Sequence, residues 1–180
     1  MKTLLGLALV GSMLLSACAS APSTQYYQLS SHTYQFPSHQ APMAAVKVVL
    51  AEPLKSNSLL YQYDEQTVHF AKQHLWAEPL DVAAAKHLAN SLNTQSSQWR
   101  FVPSHLQNNN MPQLVVYLER FQGRFDGYAQ ISGYSVWQNK QGALQTRNFN
   151  AQIAQQGDGY AAMSQALNMG LVEVSKQIAP

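Results

Sequence analysis

The sequence predicts an α+β domain: one mixed, mostly antiparallel sheet packed against two helices, with a signal segment ahead of it. Three observations predict it. Residues 77–94 and 160–178 repeat apolar side chains every three or four positions, the spacing of one helix face. Around them lie short runs rich in β-branched and aromatic residues, bounded by Pro, Gly, Asn or Asp, which is how strands read. The first residues form an apolar run that ends in a lone cysteine.

The leader comes first. Lys2 supplies a positive start, and residues 4–15 are apolar, broken only by Gly and Ser. A bilayer span needs ~20 apolar residues, so this run is too short and reads as a signal-peptide core. It ends Leu15-Ser16-Ala17-Cys18, which looks like a lipobox. Small residues before the cut let the chain lie extended in a peptidase groove, and the Cys18 thiol is the nucleophile that takes the lipid. Residues 1–17 are therefore expected to be a lipoprotein signal peptide. Ordinary secretion is the competing reading, but it leaves the small residues and the cysteine unexplained. Cys18 is the only cysteine, so no intrachain disulfide can form. One acyl chain holds a protein weakly and stable anchoring takes two or more. Ala19, not Asp, follows Cys18; by the sorting rule of Gram-negative lipoproteins this implies the periplasmic face of the outer membrane.

Residues 18–24 are small and carry Pro22, and they read as the lipidated N-terminus and a flexible tether. Residues 25–180 are long enough for a single domain with its own core. With 11 Lys+Arg against 9 Asp+Glu, and Lys2 leaving with the leader, the remaining charge is close to neutral. That excludes the basic surface a nucleic-acid binder needs.

Within the domain, Tyr26-Tyr27-Gln28-Leu29 reads as a short strand, and residues 31–42, with Pro37 and Pro42, as a loop. Val46-Lys47-Val48-Val49-Leu50 is a β-branched strand closed by Pro53. Residues 59–63 and 67–71 suggest a hairpin turning at Asp64-Glu65. Leu80, Ala84, Leu88 and Leu92 then step by four, with Val82, Ala85 and Ala89 beside them. Pro79 suits a first helical turn, where its missing N–H has no partner to lose, so this helix is expected to start near Glu78. Residues 99–102 form a short strand and 103–112 a polar loop. Three strands follow at 114–118, 128–137 and 144–153, the last after a turn at Asn139-Lys140-Gln141-Gly142. Short connections favour antiparallel pairing. Tyr160, Met163, Leu167, Leu171, Val174 and Ile178 line the last helix, with Asp158 as its expected cap. No internal repeat appears.

Catalytic signatures fail one by one. His32, His39, His69, His74, His87 and His105 fall into no zinc motif, and a metal site needs three or four convergent ligands. His69 and His74 lie near a strand end and a turn and read as surface or packing residues. There is no Gly-x-Ser-x-Gly elbow and no phosphate loop. Gly157-Asp158-Gly159 reads as a turn before a helix. The carboxylates are few and scattered, and an acylated Cys18 is no thiol nucleophile. The chain reads as neither an enzyme nor the holder of a cofactor or metal. One motif stands out: Trp76-Ala77-Glu78-Pro79-Leu80 at the start of the first helix. Large aromatics at helix starts usually pack, so Trp76 is expected to staple the helix onto the sheet. The alternative for the motif is a partner-binding edge, where tryptophan is also enriched.

In order along the chain, the lipobox at Cys18, Tyr26-Tyr27-Gln28-Leu29, a Val-rich strand ending at Pro53-Leu54, Leu60-Tyr61 with its hairpin, and Trp76-Ala77-Glu78-Pro79-Leu80 resemble the auxiliary lipoproteins of ABC-type transport systems, the PqiC-like (YmbA-like) family. Leu88-Ala89-Asn90-Ser91-Leu92, the strand over 114–121 and the final helix from Tyr160 also fit. Leu75 stands where the family often carries a basic residue. The resemblance implies a non-enzymatic role beside MCE-domain proteins, which form periplasm-spanning tunnels for lipids, with the lipoprotein on the outer membrane at the far end. It also implies that a homo-oligomeric ring could match a tunnel of cyclic symmetry. Two other functions fit the same anchor: a regulator of a cell-wall synthase or of envelope assembly, and a soluble lipid carrier with an enclosed apolar cavity.

Overall fold

The two most β-branched runs, 46–50 and 114–118, lie side by side and in register, Val46 opposite Leu114 and Leu50 opposite Leu118. Their pairing is parallel, and it forms the middle of the sheet. The computed structural model describes residues 23–30, 33–108, 111–138 and 142–180; Cys18 and the leader lie outside them. In chain order the elements are β1 (Gln25–Tyr27), β2 (Met43–Leu50), β3 (Ser58–Gln62), β4 (Val68–Trp76), α1 (Leu80–Gln95), β5 (Arg100–Pro103), β6 (Gln113–Arg124), β7 (Tyr128–Gln138), β8 (Leu144–Ala154) and α2 (Gly159–Ile178).

β6 is the spine. One edge pairs with β7 along its length, and β7 pairs with β8, both antiparallel. The other edge is shared: β2 takes residues 113–118 and carries β5 outside it, while β3 takes Gly123 and Arg124 and carries β4 and β1. The fork has a cause in the ladder. Register between β6 and β7 shifts between Leu118 and Arg120, so Glu119 is an extra residue there. A bulge bends its strand and sharpens the twist, and this one sits where β6 exchanges one neighbour for the other. Gly133 faces Leu118 at that point; a Cβ there would lie 1.9 Å from the Tyr117 carbonyl oxygen, so no other residue fits.

The fold is the predicted mixed sheet with two helices. The antiparallel ladders β3–β4, β6–β7 and β7–β8 join strands close in sequence, as short connections favour. The parallel pairs β1–β4, β2–β5, β2–β6 and β3–β6 join strands far apart in the chain, and all are shorter than the β6–β7 and β7–β8 ladders.

Both helices cover one face of the sheet. α2 buries Met163, Leu167, Leu171, Val174 and Ile178, the periodic positions, and adds Ala162, Ala166 and Gly170. α1 buries Leu80, Ala84, Leu88 and Leu92 against β2 and β5. Its stripe differs in detail: Val82 faces solvent, and His87 and Ser91 take buried places. α1 starts at Leu80, two residues later than expected. The reason is steric: the Pro79 ring disfavours helical backbone at Glu78, and Pro79 itself is extended with ψ 128. Asp158 occupies the cap position of α2, but its side chain makes no capping hydrogen bond. The segment before β2 is pinned to the same layer, with the Tyr34 hydroxyl donating to the Phe101 carbonyl at 2.7 Å and Asn90 bonding the Thr33 carbonyl.

Candidate functional site

Trp76-Ala77-Glu78-Pro79-Leu80 is the joint between β4 and α1. Trp76 ends the strand and does not open the helix. β1 runs parallel to β4 and holds His74, Leu75 and Trp76 extended, a pairing that local sequence does not announce. The Trp76 ring is 5 % exposed and packs on Phe121, centroids 5.7 Å apart. The Trp76 backbone N–H donates to the Asn57 carbonyl, and the backbone N–H of Ala77 donates to the Tyr27 carbonyl. Leu80 is buried on the far side of the joint. Between these two anchors Ala77 and Pro79 are exposed, and the Glu78 carboxylate accepts from Lys86 Nζ at 2.6 Å. That ion pair is largely buried and ties the joint to the second turn of α1.

A second feature lies at one end of the sheet, where β3, β6 and β8 all finish. The β3–β4, β6–β7 and β8–α2 turns meet there around a surface cleft of about 560 Å³. Tyr61, Tyr63, Phe125 and Tyr160 line it, with Met163 at its floor and Arg124 at its side. Arg124 pairs with Asp126 at 2.7 Å, while its Nε is buried and meets no hydrogen-bond partner among the described residues. Tyr160 stacks on His74 at 4.1 Å, and His74 Nδ1 lies 2.9 Å from the Tyr27 hydroxyl. Burial, the largest cause, and then the neighbouring tyrosines hold the Tyr160 phenol above its usual pKa, so the hydroxyl stays protonated and neutral near pH 7. The cleft offers aromatic faces and hydroxyls, a surface for binding.

Of these turns, Arg124-Phe125-Asp126-Gly127 falls between two expected strands, and the other two, Asp64-Glu65 and Gly157-Asp158-Gly159, were visible in the sequence as turns. Their convergence was not, because it follows from β6 lying parallel to β3 and antiparallel to β7. Of the other histidines, His69 lies against Tyr63, His87 is buried in α1, His39 lies near the Trp99 carbonyl, His105 is exposed, and His32 lies outside the described residues. Among the described residues no group of three His, Cys, Asp or Glu side chains converges as metal ligands would.

Comparison with known proteins bears on this architecture as a whole. The family model described as ABC-type transport auxiliary lipoprotein component matches residues 27–179. The chain is 31 % identical over 163 residues to the intermembrane transport lipoprotein PqiC of Escherichia coli K12, covering 88 % of this chain and 86 % of that protein. A crystal structure of an uncharacterised protein, 30 % identical, superposes with TM-score 0.76 over 88 % of this chain and 97 % of its own. A Xanthomonas campestris protein, 15 % identical, shares the fold at TM-score 0.65 over 84 % of this chain and 90 % of its own. With β2 to α2 all inside the matched span, the chain belongs to the family of ABC-type transport auxiliary lipoproteins.

Proposed function

We propose that this protein is the outer-membrane lipoprotein of an intermembrane lipid transport system, and that it works by binding an MCE-domain, periplasm-spanning tunnel protein, without catalysis. The observation that carries the reading is the 31 % identity to PqiC across the domain, helices and sheet together. In this reading residues 1–17 are the signal peptide, Cys18 takes the acyl chains, 18–24 are the tether and 25–180 the working domain. Trp76 to Leu80 act as a structural joint that sets α1 on the sheet, since both end residues are buried. A homo-oligomeric ring on the membrane is part of the proposal, because a tunnel with cyclic symmetry presents repeated sites.

The test is genetic and physical. Deleting the gene should reproduce the envelope-permeability defect of deleting the MCE-type partner, and crosslinking in intact envelopes should join the two proteins. Different phenotypes together with no MCE-type crosslink would sink the transport reading and favour a regulator of cell-wall synthesis or envelope assembly.

A further inference from the structure

The direction of β1 has a consequence for how the domain meets a membrane. β1 runs parallel to β4, with Gln25 opposite His74, so the chain enters β1 from the side of the β3–β4 turn. Ser23 and Thr24, both exposed, lie on that approach. The stretch of β4 from Val68 to His74 is about 20 Å long at ~3.3 Å per residue. A fully extended chain from Cys18 to Gln25 reaches about 25 Å at most. Acyl chains on Cys18 can therefore reach the plane of the turns, with little length to spare.

At that same end of the sheet several large apolar side chains stand in water together. Tyr63 is 55 % exposed and Phe125 49 %, and Val68, Phe70 and Tyr128 beside the turns are each more than two-fifths exposed. Tyr63 and Phe125 face the same cleft. An isolated exposed ring needs no explanation, but several rings gathered on adjoining turns mark an interaction surface. Tyrosine and phenylalanine at headgroup depth have an apolar body for the acyl region, and tyrosine has a hydroxyl for the wet side. Charge narrows the partner. Asp64 and Glu65 occupy the β3–β4 turn, Asp158 the β8–α2 turn, and Arg124 is neutralised by Asp126. Backbone and side-chain hydrogen bonds from Gln66 and Thr67 hold the Asp64 carboxyl below its usual pKa, so it stays charged. An acidic rim repels an anionic surface and is compatible with a zwitterionic one.

We propose that the end of the sheet formed by the β3–β4, β6–β7 and β8–α2 turns is laid on a zwitterionic phospholipid surface, with Tyr63 and Phe125 at headgroup level. This rests on the reading of Cys18 as the acylated anchor. It orients the domain: β6, β7 and β8 stand on the membrane, and the opposite end, where Leu144 begins β8, points into the periplasm.

The test uses full-length protein extracted from membranes and reconstituted into phosphatidylcholine–phosphatidylethanolamine vesicles with brominated acyl chains. Phe125→Trp and Leu144→Trp are compared, each as the difference from the parent, whose own tryptophans emit in all samples. Leu144 is 65 % exposed and about 34 Å from the turns along β8, at ~3.4 Å per residue. The added emission of Phe125→Trp is expected to fall by about half or more, because a ring at headgroup level lies within reach of the bromines. That of Leu144→Trp is expected to stay unchanged. Equal quenching of both, quenching of Leu144→Trp alone, or quenching of neither overturns the proposal. Binding of unacylated Cys18→Ala protein that rises only with anionic lipid also overturns it. Intact mass of the extracted protein reports the acyl chains separately. If they are missing, the anchor reading fails, and Phe125→Trp quenching in vesicles that float the unacylated protein decides the proposal by itself. A turn end silent to brominated lipid but crosslinked to an envelope protein is a protein-docking surface instead.

Discussion

His87 shows how one residue's burial becomes a property that can be measured. It lies on the inner face of α1 at 1 % exposure, with Ser91 Oγ 3.4 Å from its Nδ1. Burial penalises the imidazolium, so its pKa in the folded chain falls below the ordinary 6.5. The unfolded chain keeps the ordinary value and binds more protons between the two. Stability from this residue is therefore complete above pH ~6.5 and is lost as pH falls below it. Thermal melts at pH 7.5 and 5.5 should show a drop in melting temperature on acidification, and His87→Leu should show a smaller one. An equal drop in the variant would assign the acid sensitivity to other groups. In the sequence His87 was one of six scattered histidines. Its spacing from Leu80, Ala84 and Leu88 put it on the edge of the apolar stripe, and only packing against α2 and the sheet turned that edge inward.

At the scale of elements the β4–α1 joint is the most informative. Trp76 and Leu80 are buried on the two sides of a short exposed connection, so the joint fixes both the end of the strand and the start of the helix. Trp76→Ala should cost ~3–5 kcal/mol in a chemical-denaturation experiment, the range for truncating a buried large aromatic. A loss below ~0.5 kcal/mol would mean that the ring behaves as a surface group. The sequence marked this motif as unusual and Trp76 as a staple. It attached Trp76 to the start of the helix, not to the end of a strand, because Pro79 and the apolar period begin beside it. The strand assignment depends on hydrogen bonds to β1, which lies about fifty positions earlier in the chain.

For the whole molecule, the proposed attachment to the membrane depends on a single side chain, Cys18. Cys18→Ala should abolish lipidation and leave uncleaved or mislocalised precursor, read by membrane fractionation and intact mass. Normal fractionation of that variant with unchanged mass would remove the anchor. In these proposals attachment and orientation are separate properties: the first rests on four adjoining residues, Leu15 to Cys18, and the second on the direction of β1.

The α+β class, the order of its elements and the periodic faces of both helices were legible in the sequence, because each depends on residues a few positions apart. Alternation and 3.6-residue spacing are local consequences of backbone geometry. The tertiary structure alone decided the parallel pairs, the fork of the sheet at Glu119, the placement of Trp76 at the end of β4 beside β1, and the gathering of Tyr63, Phe125 and Tyr160 at one end. Each of these joins segments distant in the chain. Its energy comes from closing a long loop and burying a shared surface, and neither term is carried by any single stretch of residues.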